Sequence, residues 1–204
     1  MIELYTANTP NGKKISIMLE EIGYEYNVNT LDLNKGDQFN PEFKKISPFS
    51  KIPVIKDNDE VIFESGAILI YLAEKSGKYF DDKNIITQWL MAQMGYVGPM
   101  LGQHHQFHHY NPGKSKFGED RYFKISKAIY NDLDLRLSQS KFLAGEEYSI
   151  ADIATWPWIA RHDWHDIGLK NYKNLTRWYN DIAGRAAVIK GYDFMNKGEN
   201  IPSP

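Results

Sequence analysis

Glu64 and Ser65 stand directly before an apolar run, Ile68, Leu69, Tyr71 and Leu72, spaced as one face of a helix. The serine reads as the cap on which that helix starts. A helix start offers unpaired backbone N–H groups and the positive end of the macrodipole, which suits a carboxylate. The Glu64 carboxylate beside it suits an amine. An ammonium next to a carboxylate is the head group of an amino acid. A second cluster lies between Gln103 and His109, where His104 with His108, and His105 with His109, are each four residues apart. A helical histidine pair still needs further ligands, and no cysteine or obvious acidic partner is near, so no metal is assigned. The cluster reads as a polar helix end, and His162 and His165 as surface or satisfied core residues. The chain of 204 residues has no cysteine at all. Disulfides, thiolate metal sites and a cysteine nucleophile are therefore excluded.

The elements that must position these residues follow from periodicity and breakers. Met1 to Tyr5 reads as a strand, Thr9-Pro10-Asn11-Gly12 as a turn, and Lys13 to Gly23 as a helix with Ile15, Met18, Leu19 and Ile22 on one face. Tyr26 to Leu33 is a second strand, Gly36 to Phe39 a loop, and Asn40-Pro41 the cap and first turn of a short helix to Ile46. Lys51 to Lys56 and Val61 to Phe63 form a hairpin across the turn Asp57 to Glu60. The Ser65 helix then ends at Gly77. This order, β-α-β followed by β-β-α, predicts a thioredoxin-like α/β domain over 1–80. After the linker Asp81 to Asn84, strand signals vanish, and 85–204 reads as an all-α domain. Its first helix, from Ile86, is expected to break around Gly98-Pro99. Another opens on Ser149-Ile150-Ala151-Asp152, a relative of the capping box, and the last residues read as a frayed tail. Net charge is −2 without a basic block, and no apolar run is long enough to span a bilayer. A nucleic-acid or membrane partner is not expected, and the chain is expected in the cytoplasm.

Strand, Ile52-Pro53, strand, turn, Glu64-Ser65, helix resembles the glutathione-binding half of the glutathione transferase superfamily. The helical remainder completes the two-domain glutathione transferase fold. Thr9-Pro10-Asn11-Gly12 is similar to the Nu-class bacterial branch of disulfide-bond oxidoreductases. So are Gly36-Asp37-Gln38-Phe39 with Asn40-Pro41-Glu42-Phe43, and Gly98-Pro99-Met100-Leu101-Gly102-Gln103. The resemblance implies a cis Pro53, an Ile52 backbone that pairs with the cysteinyl unit of glutathione, and a γ-glutamyl head held by Glu64 and Ser65. It further implies that Gln38 contacts the tripeptide, Lys51 meets its glycine carboxylate, and Arg121 contacts glutathione from its own or a partner subunit.

Glutathione chemistry needs a thiolate, and a free thiol is mostly protonated at neutral pH. By the resemblance, Thr9 and Asn11 stabilise the sulfur, with neither preferred. Tyr5 is the rival hydroxyl, although it reads more simply as a half-buried strand aromatic. The function implied is a glutathione-dependent disulfide-bond oxidoreductase without an enzyme cysteine. The alternatives are a transferase conjugating electrophiles or a glutathione-binding regulatory protein. Glutathione would be a co-substrate, up to two molecules per site, beside a small disulfide or electrophile. A homodimer is the expected assembly.

Overall fold

A computed structural model describes residues 1–204. The chain divides into two units, one made of Met1–Phe80 with Ala186–Asn200, the other of Asp81–Arg185 with Ile201–Pro204.

In the first unit, burial alternates along β1 (Ile2–Thr6), so Ile2, Leu4 and Thr6 face the core while Glu3 and Tyr5 take the other face. The remaining strands are β2 (Tyr26–Thr30), β3 (Val54–Asp57) and β4 (Glu60–Phe63). They form one sheet in the order β2-β1-β3-β4. β1 and β2 are parallel, with Leu4 opposite Val28, while β1/β3 and β3/β4 are antiparallel. This is the thioredoxin-like arrangement. α1 (Pro10–Ile22) buries Ile15, Ile17, Met18, Leu19 and Ile22, and stops at Gly23, whose φ of 75° an L side chain adopts poorly. α2 (Pro41–Ile46) starts on Asn40, whose side chain accepts the Glu42 N–H, and α3 (Ser65–Ser76) stops at Gly77.

Several boundaries differ from the sequence reading. β2 ends at Thr30, and residues 37–39 form a single 3₁₀ turn where a loop was expected. Pro53 precedes β3 and is not part of it, since a residue without an N–H cannot donate to the ladder. α10 (Ala186–Tyr192), which the sequence reading did not assign, lies ahead of the Gly198 to Pro204 tail. α10 packs on α1: the Ser16 hydroxyl donates to the Gly191 carbonyl at 2.6 Å, and a Cβ on Gly191 would lie 2.6 Å from Ile17 Cα. Residues 186–200 therefore belong with the first unit, whereas the sequence division placed them in 85–204.

The second unit is helical: α4 (Lys83–Ala92), α5 (Gly98–His104), α6 (Lys116–Gln139), α7 (Ile150–Ile159), α8 (His162–His165) and α9 (Lys173–Ala183). The break expected at Gly98-Pro99 is absent. The chain stays helical from Lys83 to Tyr110, with π-helical turns at Gln93–Val97 and His105–Tyr110. Gly98 N–H reaches back five residues to the Gln93 carbonyl, and a wider turn of this kind accommodates a proline that has no N–H of its own. The capping box at Ser149 is present. Its Asp152, fully buried, accepts from the backbone N–H groups of Leu143 (3.0 Å) and Ser149 (3.1 Å), from the Ser149 hydroxyl (3.1 Å) and from the Trp178 indole (2.8 Å). No helix is long and apolar enough to cross a membrane.

Candidate functional site

The stretch from Thr9 to Gly12 is the start of α1 and not a separate turn. Thr9 is extended, at φ −131° and ψ 161°, and its hydroxyl oxygen accepts the Gly12 N–H at 3.1 Å. Pro10 occupies the first helical position, where a missing N–H costs nothing. Asn11 is half-buried in the first turn. Gly12 has to be a glycine: a Cβ there would collide with the Ala7 carbonyl oxygen and the Thr6 hydroxyl. Two side chains able to donate hydrogen bonds are thus fixed at the positive end of a helix, where a developing anion is favoured.

The start of α3 is built differently from the expectation. Ser65 is the first helical residue, and Glu64 holds the cap position at φ 72° and ψ 117°. Positive φ is unusual for a residue with a Cβ, and it turns Glu64 to solvent while Ser65 is buried. One residue in this arrangement was not anticipated. Lys14 of α1 is 1% exposed and its ammonium donates to Ser65 Oγ at 3.3 Å. Burial pushes the Lys14 amine down to about 7, against the opposing pull of the Glu64 carboxylate. Its neighbour Lys13, also buried, turns elsewhere. It pairs with Glu199 at 2.6 Å, donates to the Tyr192 carbonyl at 3.0 Å and sits 3.1 Å from the Tyr192 ring centroid. Nothing in the spacing of Lys13 and Lys14 marks them as buried, because lysines inside a helix normally belong to its wet face.

The Ile52–Pro53 peptide is cis. Pro53 is buried and Ile52 half-buried, and the preceding Lys51 is tied by its backbone to Ser47: its N–H donates to Ser47 Oγ at 2.9 Å and its carbonyl accepts from that hydroxyl at 2.7 Å. The Lys51 side chain is exposed. Gln38 donates through Nε2 to the Leu33 carbonyl at 3.3 Å, while its Oε1 is buried without a hydrogen-bond partner. A buried acceptor left in that state is costly unless a ligand supplies the donor. Arg121 lies on α6 of the second unit, exposed, its guanidinium 5.9 Å from the Tyr122 ring centroid.

Tyr5 takes the face of β1 away from the core. Its ring lies 6.3 Å from that of Phe43 of α2, and Lys56 Nζ is 5.3 Å from its centroid. A cavity of about 580 Å³ in the first unit, lined by Tyr24, Tyr26, Lys190 and Phe194 among others, includes none of the expected site residues.

In the second unit His104, His105 and His165 are knitted into the interior, while His109 is exposed. His165 Nδ1 is 2.7 Å from the Tyr130 hydroxyl, His165 Nε2 is 2.8 Å from His105 Nε2, and His104 Nε2 donates to the His165 carbonyl at 2.9 Å. The contact between two Nε2 atoms needs one ring to donate and the other to accept, so a proton on both would break it. Burial holds His105 down at about 3 and keeps His104 and His165 below the usual imidazole range as well. No group of three or more His, Cys, Asp or Glu side chains is placed to hold a metal ion.

The family model "Glutathione S-transferase, N-terminal domain" matches residues 1–74, and "Glutathione S-transferase, C-terminal domain" matches residues 105–186. Disulfide-bond oxidoreductase YfcG of Escherichia coli is 44% identical over 199 residues, spanning 92% of this chain and 93% of that protein. A glutathione transferase of Burkholderia graminis, solved with two glutathione molecules bound per subunit, superposes with a TM-score of 0.90 at 38% identity. That match covers 97% of this chain and 89% of the other. One from Pseudomonas putida, solved with one glutathione disulfide per subunit, gives 0.88 at 40% identity, covering 94% and 90%. With both domain models matched and relatives this similar over nearly the whole length, the chain belongs to the glutathione S-transferase family.

Proposed function

We propose that this protein is a glutathione-dependent disulfide-bond oxidoreductase whose attacking sulfur belongs to glutathione. The observation that carries the reading is the opening of α1, where Thr9 and Asn11 meet a helix N-terminus in a chain without cysteine. The Thr9 oxygen accepts the Gly12 N–H, so its own hydrogen is directed elsewhere and is suited to a thiolate. Hydrogen bonds to the charged form and the helix dipole both lower a thiol's pKa. The glutathione thiolate attacks one sulfur of the substrate disulfide, giving a mixed disulfide and expelling the other sulfur as a thiolate that takes up a proton. A second glutathione thiolate attacks the mixed disulfide and leaves glutathione disulfide plus the second substrate thiol. Two glutathiones supply both electrons. The protein's share is to ionise the first thiol and align it.

Glu64 and Ser65 are assigned to the γ-glutamyl head, Gln38, Ile52, Pro53 and Lys51 to the rest of the tripeptide, and Arg121 to a further contact. The partnerless Gln38 Oε1 supports this, being an acceptor in need of an amide N–H. The matched E. coli oxidoreductase and the glutathione-bound neighbours support it too. We further infer a homodimer working in the cytoplasm, since twofold closure is the commonest way for a soluble chain to associate. Sedimentation at micromolar concentration should give twice the 23.6 kDa chain mass.

The deciding assay offers glutathione with a small disulfide or with an aromatic chloride. Turnover of the disulfide, together with weakened glutathione binding in Glu64→Ala and Ser65→Ala, is expected. Turnover of the chloride alone would make the protein a conjugating transferase. Binding with neither turnover would make it a regulator. Unchanged affinity in both variants would remove Glu64 and Ser65 from the site.

A further inference from the structure

We propose that Lys14 is a positioning residue for the ligand's carboxylate, acting through Ser65, and that it takes up a proton as the ligand binds. The inference rests on the glutathione reading above and deepens it.

The geometry has three parts. Lys14 is buried, its ammonium points at Ser65 Oγ from 3.3 Å, and Ser65 opens α3 at the place assigned to an α-carboxylate. A hydroxyl that accepts from an ammonium turns its own hydrogen away from it and becomes the stronger donor to an anion. The ammonium charge behind Ser65 adds attraction that a serine and a single helix start do not provide. Without an anion, a buried amine favours its neutral form, and burial holds the Lys14 amine down at about 7. An arriving carboxylate restores the balance toward the charged form, so the amine gains a proton from solvent.

Glu64, at the start of α3, is a carboxylate that acts on this amine. From α10 and the segment after it, Asp193 and Glu199 face Lys13 instead. On β3, Asp57 is engaged by Lys75 and Tyr71.

The sign follows. Well below pH 7 Lys14 is charged in both free and bound states, and binding exchanges no proton. Above 7 the free protein has lost that proton and the complex has regained it. Affinity therefore falls as pH rises through 7 toward the higher pKa of the complex.

S-methylglutathione, whose thiol cannot titrate, is the probe. Calorimetric titration in two buffers of different ionisation enthalpy reads proton uptake directly. Wild type should take up close to one proton per site at pH 8 and almost none at pH 6, with about tenfold weaker binding at pH 8 for one unit of pKa crossed. Lys14→Met should bind weakly at both pH values with little uptake. Lys14→Arg, permanently charged, should bind with a flat profile, and it keeps the test open if the methionine variant fails to fold. Binding by wild type without uptake at pH 8, or uptake retained in Lys14→Arg, overturns the inference and leaves the glutathione reading intact. No binding of the probe by wild type at either pH overturns the glutathione reading, and this inference with it.

Discussion

Thr9 Oγ1 accepts the Gly12 N–H at 3.1 Å, closing the first turn of α1 over the end of β1. The bond depends on the absence of a side chain at Gly12, where a Cβ would run into the Ala7 carbonyl and the Thr6 hydroxyl. Because backbone cannot swing aside as a flexible side chain can, Gly12→Ala should destabilise the protein by about 1–3 kcal/mol, the usual range for overpacking. Urea denaturation measures this. An unchanged midpoint would mean the turn has slack that its geometry does not suggest.

The same turn governs catalysis on the proposed reading. Thr9→Ala and Asn11→Ala should each slow glutathione-dependent disulfide reduction by about 10²–10³-fold, as loss of other anion-stabilising donors does. Glutathione affinity should change far less. Thr9→Ala also removes a helix cap worth ~1 kcal/mol, so Thr9→Ser, which keeps both cap and hydroxyl, should retain most of the rate. Tyr5→Phe should be nearly silent, since that ring rests on Phe43. Steady-state kinetics showing Tyr5 essential and the turn dispensable would assign the sulfur to a tyrosine.

Asp152→Ala is expected to be among the most damaging single changes. It strands the Leu143 and Ser149 N–H groups and the Trp178 indole, each buried orphan costing about 1–3 kcal/mol. A loss of about 3 kcal/mol or more in chemical denaturation should result. A loss under about 1 kcal/mol would show that water replaces the carboxylate.

Acid should loosen the second unit. His105 is held at about 3, and His104 and His165 lie below their ordinary 6.5. The unfolded chain therefore binds more protons below pH 6.5, and stability falls as pH drops from there toward 3. Asp152, pushed up to about 6 by burial, works the other way between about 4 and 6, because the native state binds its proton first. One carboxyl offsets only part of several imidazoles. The melting temperature should drop between pH 7 and 5, with a shallower slope in His165→Gln. A flat profile over that range would contradict the neutral pairing of His165 with His105.

Much of this was readable from residue order because local rules and the fold agree. Asn40-Pro41, Gly23, Gly77 and the Ser149 to Asp152 box sit at the helix ends their chemistry predicts. The misreadings arise where tertiary context decides. Ser65 resembles a cap by type, but a positive φ at Glu64 shifts the cap back by one residue, and no propensity announces that conformation. α10 is seven residues with an internal glycine, too short and too weak a helix former to be seen alone. It exists because Gly191 lets its backbone lie on Ile17. Lys14 was invisible for a related reason: its burial is set by α3, not by its neighbours in sequence.

The closure of the first unit by residues 186–200 has a consequence for how the protein is made. A ribosome releases β1 and α1 first, yet the carbonyl that receives Ser16 and the carboxylate that neutralises Lys13 belong to Gly191 and Glu199. All of residues 81–185 emerge in between. The first unit is completed only after that interval, so during synthesis the nascent helix α1 waits without the Glu199 carboxylate and with an uncovered flank.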